Sequence, residues 1–173
     1  MLVVVSDTHG REDHRLAGRT LAAVDEADLV IHAGDFCTER VLDAFEARCA
    51  LRAVYGNNDP ASVRARIPAD RVVEWEGLRV AVAHGHEHTA VARSMFGRQA
   101  NADLVVVGHS HQPGVGGGDP PVLNPGSHAD PRWYEPAHAE IRVGTDGYEG
   151  RIVRPDGTVL ESFHLSAAGA HRR

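Results

Sequence analysis

Five short apolar segments of the sequence each run directly into residue types that bind metal ions. In open α/β sheets, ligand sites lie beyond the carboxyl ends of neighbouring parallel strands, so side chains in these positions should meet in one place. A single Gly-Asp pair or Asp-Thr-His triplet is a weak signal, because such groups also cap helices or arise by chance. Five of them, each at the end of an apolar segment, are a much stronger one. The residues are Asp7, His9, Asp35, Asn57, His84, His109 and His111.

The ligand types in this set are two aspartates, one asparagine and four histidines. Mixed oxygen and imidazole ligands suit Mn²⁺, Fe, Zn²⁺ or Co²⁺ better than Ca²⁺. Seven side chains exceed the needs of one ion, whereas two ions that share a carboxylate would use them all. Two ions about 3.5–4 Å apart are the usual device for hydrolysing phosphate esters. The set therefore points to a two-metal centre.

The elements that position these residues alternate between strand and helix, which predicts an α/β domain with a central, mostly parallel sheet. An antiparallel set of three strands follows, separated by the turn sequences TDG and PDG, and is predicted either to extend this sheet or to pack against it. The Gly- and Pro-rich stretch 113–121 is predicted to be a turn. Strands are predicted at 1–6, 28–34, 50–56, 71–85 (two strands joined by a Glu-Gly turn), 103–111 and within 137–163, and helices at 12–27, 38–49 with Thr38 as cap, 61–66 and 89–101.

Length and composition restrict the classes of protein. The 173 residues suit one domain spanning 1–173, and the net charge of −6 argues against nonspecific nucleic-acid binding. The sequence has no lysine, which excludes a Schiff-base lysine and a Walker-type phosphate loop. No apolar run approaches the roughly 20 residues of a membrane span, and the start does not resemble a signal peptide. Because Cys37 and Cys49 show no metal or redox spacing, a cytoplasmic protein with free thiols is expected.

The ordered motifs Asp-x-His, Gly-Asp, Gly-Asn-x-Asp, His-Gly-His and Gly-His-x-His resemble those of the calcineurin-like metallophosphoesterase superfamily. The short chain and the segment NPGS at 124–127 resemble its small single-domain phosphodiesterase branch from bacteria and archaea. The match runs from Asp7 to about Arg132. The resemblance implies an α/β fold that is a four-layer α/β/β/α sandwich with mixed central sheets. It also implies a dinuclear metal centre at the strand ends.

The resemblance further implies a role for each residue that matches a motif. Asp35 would bridge two divalent ions, with Mn²⁺ favoured and Zn²⁺, Fe, Co²⁺ or Ni²⁺ as alternatives, and a hydroxide bridging the ions would attack phosphorus. Asp59 would orient a neighbour, and His86 would be an outer or substrate-facing group. The first ion would be held by Asp7, His9 and His111, and the second by Asn57, His84 and His109.

Asn58 departs from the family pattern, because many members have histidine at this place, where it stabilises charge or protonates the leaving group. An amide can donate a hydrogen bond to phosphate but cannot act as a general acid. The change favours esters with good leaving groups, or recruitment of another acid, for which His86 and His128 are candidates. His86 and His88 also fit the start of a helix. Arg132 either reaches substrate phosphate or is an ordinary surface arginine.

Several functions are compatible with these residues. A phosphodiesterase acting on small esters or nucleotides is favoured by the complete ligand set. The sequence offers nothing firm against a phosphomonoesterase. A non-catalytic scaffold, as in the retromer sorting subunit that resembles this branch, would be expected to have lost histidines. A nuclease is disfavoured by the negative charge. Family members often self-associate, which leaves a homo-oligomer open.

Overall fold

The computed structural model describes residues 1–87 and 89–166. In this part of the chain, strands and helices alternate up to the sixth strand, except that the fourth strand is followed directly by the fifth, and after the sixth only strands follow. The elements are β1 Leu2–Val5, α1 Gly18–Glu26, β2 Leu29–His32, α2 Glu39–Glu46, β3 Leu51–Ala53, α3 Ala61–Arg64, β4 Asp70–Trp75, β5 Leu78–Ala83, α4 Ala90–Gln99, β6 Leu104–Val106, β7 Gly114–Gly116, β8 Val122–Asn124, β9 His138–Val143, β10 Gly147–Val153 and β11 Val159–Ser166.

Two mixed sheets carry the fold. The first has the order β11-β10-β9-β1-β2-β3, with β1, β2 and β3 parallel to one another and the other three strands antiparallel. The second has the order β4-β5-β6-β8-β7, with β5, β6 and β8 parallel and antiparallel strands at both edges. The parallel strands that end in predicted ligands are thus divided between two sheets. The sequence predicts one central, mostly parallel sheet, extended by or packed against an antiparallel set. The antiparallel set does extend the first sheet beside β1, but the expectation of a single central sheet is wrong.

Alternation along the strands separates two sides of each sheet. Leu2 and Val4 of β1 belong to the buried cluster between the sheets, together with Val80 and Val82 of β5. Val3 and Val5 instead face the helices α1 and α2. On the far side of the second sheet, Val105 and Val107 pack with residues of α4. The layers are therefore helix, sheet, sheet and helix, which confirms the four-layer α/β/β/α sandwich.

The helix α1 begins at Gly18, six residues later than the sequence predicted. Side chains in the preceding segment bond to the backbone instead of allowing helix formation: Asp13 accepts the amide of Arg15, and His14 accepts the amide of Leu16. Gly18 has a φ of +53°, and a Cβ there would stand 2.2 Å from the carbonyl oxygen of Pro155. The close approach of Pro155 therefore fixes the start of the helix.

The Gly- and Pro-rich stretch also differs from its predicted form. The stretch contains a short strand, β7, that pairs antiparallel with β8. Glycines have no side chain to pack, so the sequence lacked the apolar alternation that identifies strands. Within the described residues, no helix is long and apolar enough to cross a membrane. The extent of a single domain over 1–173 stays a prediction, since the last seven residues lie outside the described ranges.

Candidate metal centre

The backbone turns sharply after the strands that meet at this centre, and the sharp turns aim side chains into it. Five of the seven predicted ligands have positive φ values, a region that residues other than glycine rarely adopt and that costs about 1–3 kcal/mol each. Such strain is retained where the surrounding structure holds the residue for a purpose. The five are Asp7 (53°), His9 (45°), Asp35 (64°), His109 (67°) and His111 (60°).

The first half of the centre is built on Asp7, which follows β1 and is fully buried. Its Oδ1 lies 3.2 Å from Nε2 of His111 and 3.8 Å from Nε2 of His9. The Nε2 of His9 also lies 3.4 Å from Oδ2 of Asp35. Three side chains from two sheets are therefore grouped around one point, and Asp35 adjoins them.

The second half continues from the same carboxylate oxygen. Oδ2 of Asp35 lies 3.3 Å from Nε2 of His84, and that nitrogen lies 3.2 Å from Oδ1 of Asn57. The same amide oxygen lies 3.0 Å from Nδ1 of His109. All seven predicted ligands thus form one unbroken chain of contacts, with Asp35 in the middle.

The separations and the unpaired atoms in this series of contacts fit binding to metal ions better than hydrogen bonding among the side chains themselves. Ligand atoms about 2.1 Å from one ion stand about 3.0–3.4 Å apart, close to most separations seen here. Oδ1 of Asp7, Nε2 of His9 and Nε2 of His111 are all buried without a hydrogen-bond partner. Buried polar atoms are rarely left unpaired. Three of them directed at one point are what an ion of this ligand chemistry requires.

Hydrogen bonds fix which nitrogen of two histidines faces the centre. Nδ1 of His84 donates to the carbonyl oxygen of Ala33 at 2.7 Å, and Nδ1 of His111 donates to the carbonyl oxygen of Asp130. Since a carbonyl can only accept, both rings carry the proton on Nδ1 and present the lone pair of Nε2. Bonds of this kind orient metal-binding histidines.

Asp7 is held so that only one oxygen remains available. Its Oδ2 accepts from the hydroxyl of Ser6 at 2.6 Å and from the amide of His109 at 3.0 Å, which leaves Oδ1 for the centre. The hydroxyl of Ser127 donates to the carbonyl oxygen of Asp7 at 2.7 Å. In the same NPGS segment, the amide of Asn124 donates to the carbonyl oxygen of Gly108. This segment therefore ties together turns from both sheets.

The turn at 56–59 supports Asp35 from the opposite side. The backbone amide of Asn58 donates to Oδ1 of Asp35 at 2.8 Å, and its side-chain amide donates to Oδ2 at 2.7 Å. Asp59 is buried and accepts three backbone amides, from Asp35, Gly56 and Cys37, at 2.8–3.0 Å. Asp59 thus holds the backbone of Asp35 and of its own turn, and the orienting role that the resemblance implied for it stays a prediction. Both amide groups of Asn58 serve Asp35 here, so its hydrogen bond to substrate phosphate stays a prediction.

His32 is a supporting residue that sequence reasoning missed. It is fully buried, and its ring stacks on Phe36 at 3.7 Å. Its Nδ1 accepts the amide of Gly34 at 3.1 Å, so Nε2 carries the proton and donates to the hydroxyl of Thr8 at 2.8 Å. Burial holds the pKa of His32 well below its usual value, which keeps the ring neutral. The available signal was a histidine inside the otherwise apolar run LVIHA.

The charges of the cluster call for cations. Burial would raise the pKa of Asp7, but the nearby imidazole rings of His111 and His9 outweigh it and hold that pKa well below its ordinary value. For Asp35, burial is likewise outweighed, chiefly by His84, and the pKa falls to about 2. Burial would lower the pKa of His9, yet Asp7 and Cys37 raise it to about 10. Both carboxylates therefore stay ionised at neutral pH. Metal ions would balance their negative charge, as protonated histidines would do without metal.

The remaining predicted residues lie in different surroundings. The ring centroid of His86 is 5.5 Å from that of His84 and 6.2 Å from that of His109, at the edge of the centre. His128 lies on the helix side of the first sheet, with its ring 6.5 Å from Phe45 and its Nε2 donating to the carbonyl oxygen of His14. This position removes His128 as a candidate acid.

Arg132 is exposed in a turn, with a φ of +55°, which leaves both of its sequence-based interpretations open. His88 falls in the gap between the described ranges.

Comparison with known proteins adds a family to this geometry. The family model "Calcineurin-like phosphoesterase superfamily domain" matches residues 1–144. A probable metallophosphoesterase of Methanothermobacter thermautotrophicus is 29% identical over 171 residues, covering 95% of this chain and 98% of that protein. A phosphodiesterase of Methanocaldococcus jannaschii is 27% identical over 121 residues, 63% of this chain and 72% of that one.

Among solved structures, Vps29 of Entamoeba histolytica, crystallised as a single mutant, has a TM-score of 0.76 at 18% identity. The alignment covers 95% of this chain and 99% of that one, and at this identity it shows a shared fold alone. The family match spans most of the chain. The chain belongs to the calcineurin-like phosphoesterase superfamily, and the resemblance inferred from its motifs is confirmed.

Proposed function

We propose that this member of the superfamily is a metal-dependent phosphodiesterase that hydrolyses small phosphate diesters at a centre of two divalent ions. The observation that carries the proposal is the single oxygen, Oδ2 of Asp35, that lies within 3.4 Å of both His9 and His84. A shared carboxylate oxygen is what two neighbouring ions need. Mn²⁺ is the proposed metal, because the ligands mix carboxylate, amide and imidazole.

Each ligand has its proposed place in the contact chain. Asp7, His9 and His111 hold the first ion, and Asn57, His84 and His109 hold the second, with Asp35 between them. The neutral amide of Asn57 limits the negative charge of a site that already has two carboxylates.

Two ions held in this way would supply a hydroxide at neutral pH and would neutralise charge on the phosphate oxygens. The protein's own residues hold the shared carboxylate of Asp35 in position. Asn58 and Asp59 hold the turns on either side of Asp35, so its oxygen stays fixed as charge builds up on phosphorus. His86, at the edge of the centre, is the side chain proposed to face the substrate. An amide such as that of Asn58 cannot protonate a leaving group. Diesters with good leaving groups, which need no general acid, are therefore the expected substrates.

The proposal extends to the setting of the reaction. The cytoplasm is the proposed location, and the two free thiols Cys37 and Cys49 are in keeping with it. The proposed partner is a small phosphoester. The M. jannaschii relative named as a phosphodiesterase supports diester over monoester hydrolysis. A scaffold function is not favoured, because all seven proposed ligand positions carry a residue type that can bind a metal ion.

The test is hydrolysis of a diester and a monoester of 4-nitrophenol by metal-stripped protein reloaded with Mn²⁺. Wild type should prefer the diester. Asp35→Asn and His109→Ala should each lose more than the roughly 10–100-fold typical of an outer-shell partner. His164→Ala, exposed on β11, is the matched histidine control and should keep wild-type rates. Activity that survives both ligand changes would overturn the proposal, and a preference for the monoester would favour a phosphomonoesterase.

A further inference from the structure

A groove of about 450 Å³ runs along the outer side of the second sheet, between the first turns of α4 and the edge formed by β7 and β8. This volume lies in the range of pockets that hold small ligands, about 300–1,000 Å³. Its lining includes Arg93, Ser94, Val107, Gln112, Val115 and Val122.

The groove shares its wall with two turns of the metal centre. Ser110, between His109 and His111, lines it directly. Gly85 follows His84, and a Cβ at Gly85 would stand 3.3 Å from Cβ of Val107 and 3.8 Å from Nε of Arg93, both of which line the groove. The groove therefore adjoins the turns that carry His84 and His109.

The direction of the reaction indicates which part of a substrate this groove would receive. In an in-line displacement the leaving oxygen departs opposite the attacking one. The ester group that stays on phosphorus extends sideways, along the protein surface. Because Ser110 and the residues beside Gly85 line the groove, an ester group that extends to the His109 side of the centre would meet the groove there.

The chemistry of the lining residues further restricts which kinds of ester group the groove could bind. Three valines and two prolines make the walls apolar, and Gln112 and Ser94 offer hydrogen bonds. Nε of Arg93 would lie 3.8 Å from a Cβ at Gly85, which places this cationic side chain at the end of the groove nearest to His84. At the other end Oε2 of Glu161 accepts the amide of Val115 at 3.3 Å, and this carboxylate would repel a second anionic group. The lining thus suits a neutral group with a flat apolar part and a few polar atoms.

We propose that this groove binds the retained ester group of the substrate, and that this group is an uncharged, ring-containing one of nucleoside size. This inference rests on the proposed phosphodiesterase function and names its substrate class. It predicts that diesters with a nucleoside on phosphorus are better substrates than diesters with a methyl group in the same place.

The glycine wall of the groove allows a direct test. A Cβ at Gly117 would meet no atom within 4 Å, and its φ lies outside the left-handed region, so a phenylalanine there can grow into the groove without a clash at its Cβ. Val91, on α4 and 68% exposed, is not among the lining residues, so Val91→Phe is the matched control.

The experiment compares two substrates with one leaving group, thymidine 5′-(4-nitrophenyl) phosphate and methyl 4-nitrophenyl phosphate, on Mn²⁺-loaded protein. The kcat/KM ratio of thymidyl to methyl substrate should exceed 10 in wild type and in Val91→Phe, and should fall at least fivefold in Gly117→Phe, mainly through KM. An unchanged ratio in Gly117→Phe, or a wild-type ratio near one, would overturn the proposal.

Calorimetric binding of thymidine 5′-monophosphate to the same Mn²⁺-loaded proteins separates this proposal from the proposed function. The monophosphate has the retained ester group and needs no hydrolysis to bind. If neither diester is cleaved, the phosphodiesterase function fails, and the groove is then judged by binding alone. Binding that weakens at least fivefold in Gly117→Phe but not in Val91→Phe supports the groove. Equal binding by all three proteins, or no binding by wild type, contradicts it.

Discussion

Replacing Gly56 with alanine should displace the central carboxylate of the metal centre. A Cβ at this position would stand 2.1 Å from Oδ1 of Asp35, and Cβ contacts shorter than 3.0 Å essentially do not occur. The two atoms must therefore separate by at least about 0.9 Å. A misplacement of about 1 Å at a reacting centre can cost about 100-fold in rate. We expect that loss in kcat/KM for Mn²⁺-dependent diester hydrolysis.

The same change should affect metal binding more than the fold. Overpacking costs about 1–3 kcal/mol, which for a chain of this size lowers Tm by about 2–4 °C per kcal/mol. Mn²⁺ at about 100 times its Kd should stabilise wild type by about 2.7 kcal/mol. If the affinity of Gly56→Ala is 100-fold weaker, the same Mn²⁺ concentration adds only about 0.4 kcal/mol.

Differential scanning fluorimetry with and without Mn²⁺ measures both effects. Gly144→Ala is the matched control, because the three atoms nearest to its Cβ would all belong to the exposed side chain of Glu149, which can move aside. A Gly56→Ala protein with wild-type activity and a wild-type Mn²⁺ shift would refute the placement of Asp35.

Three further outcomes follow from buried polar groups around the centre and the first sheet. Asp59→Ala leaves three backbone amides without their acceptor and should cost about 3–5 kcal/mol in urea unfolding, whereas Asp59→Asn, which keeps one oxygen, should cost about half. His32→Leu should weaken Mn²⁺ binding about 10-fold in calorimetry, because two ligand turns lose their common support, and an unchanged Kd would deny His32 that role. Burial would raise the pKa of Glu140, but hydrogen bonding to a histidine and two arginines holds it well below the ordinary value of 4.5, so its stabilisation is complete above that pH and is lost as the pH falls below it. The Tm of wild type should therefore fall more steeply from pH 5 to pH 3 than that of Glu140→Gln, and parallel curves would contradict this.

The clustering of these seven side chains could be predicted from sequence because each lies in the turn that follows an apolar strand, while their role as metal ligands stays a prediction. Chain order places Asp7 and Asp35 after β1 and β2, and neighbouring parallel strands bring such residues together at one edge of a sheet. The family resemblance then supplied the four-layer architecture, which the alternation of elements alone had indicated only as one sheet. Three parallel strands in each of two sheets could not be foreseen, because the short run VLN that forms β8 has no periodic signal.

The contacts that support the proposed ligands could be identified only from the three-dimensional structure. The bond from Ser127 to Asp7 joins residues 120 positions apart, and that from His32 to Thr8 joins residues 24 apart. No spacing rule connects such pairs. For the same reason Asn58 could be recognised as a departure from the family pattern, while its two hydrogen bonds to Asp35 could not.

The most direct test of the central claim is a stoichiometric activity titration. Metal-stripped protein is titrated with Mn²⁺ well above Kd, and the initial rate of hydrolysis of a 4-nitrophenyl diester is measured at each addition. Two ions bridged by Asp35 predict no activity without metal and a rate that reaches its plateau at two equivalents per chain. Activity in the stripped protein, or a plateau at one equivalent, would contradict the two-metal phosphodiesterase.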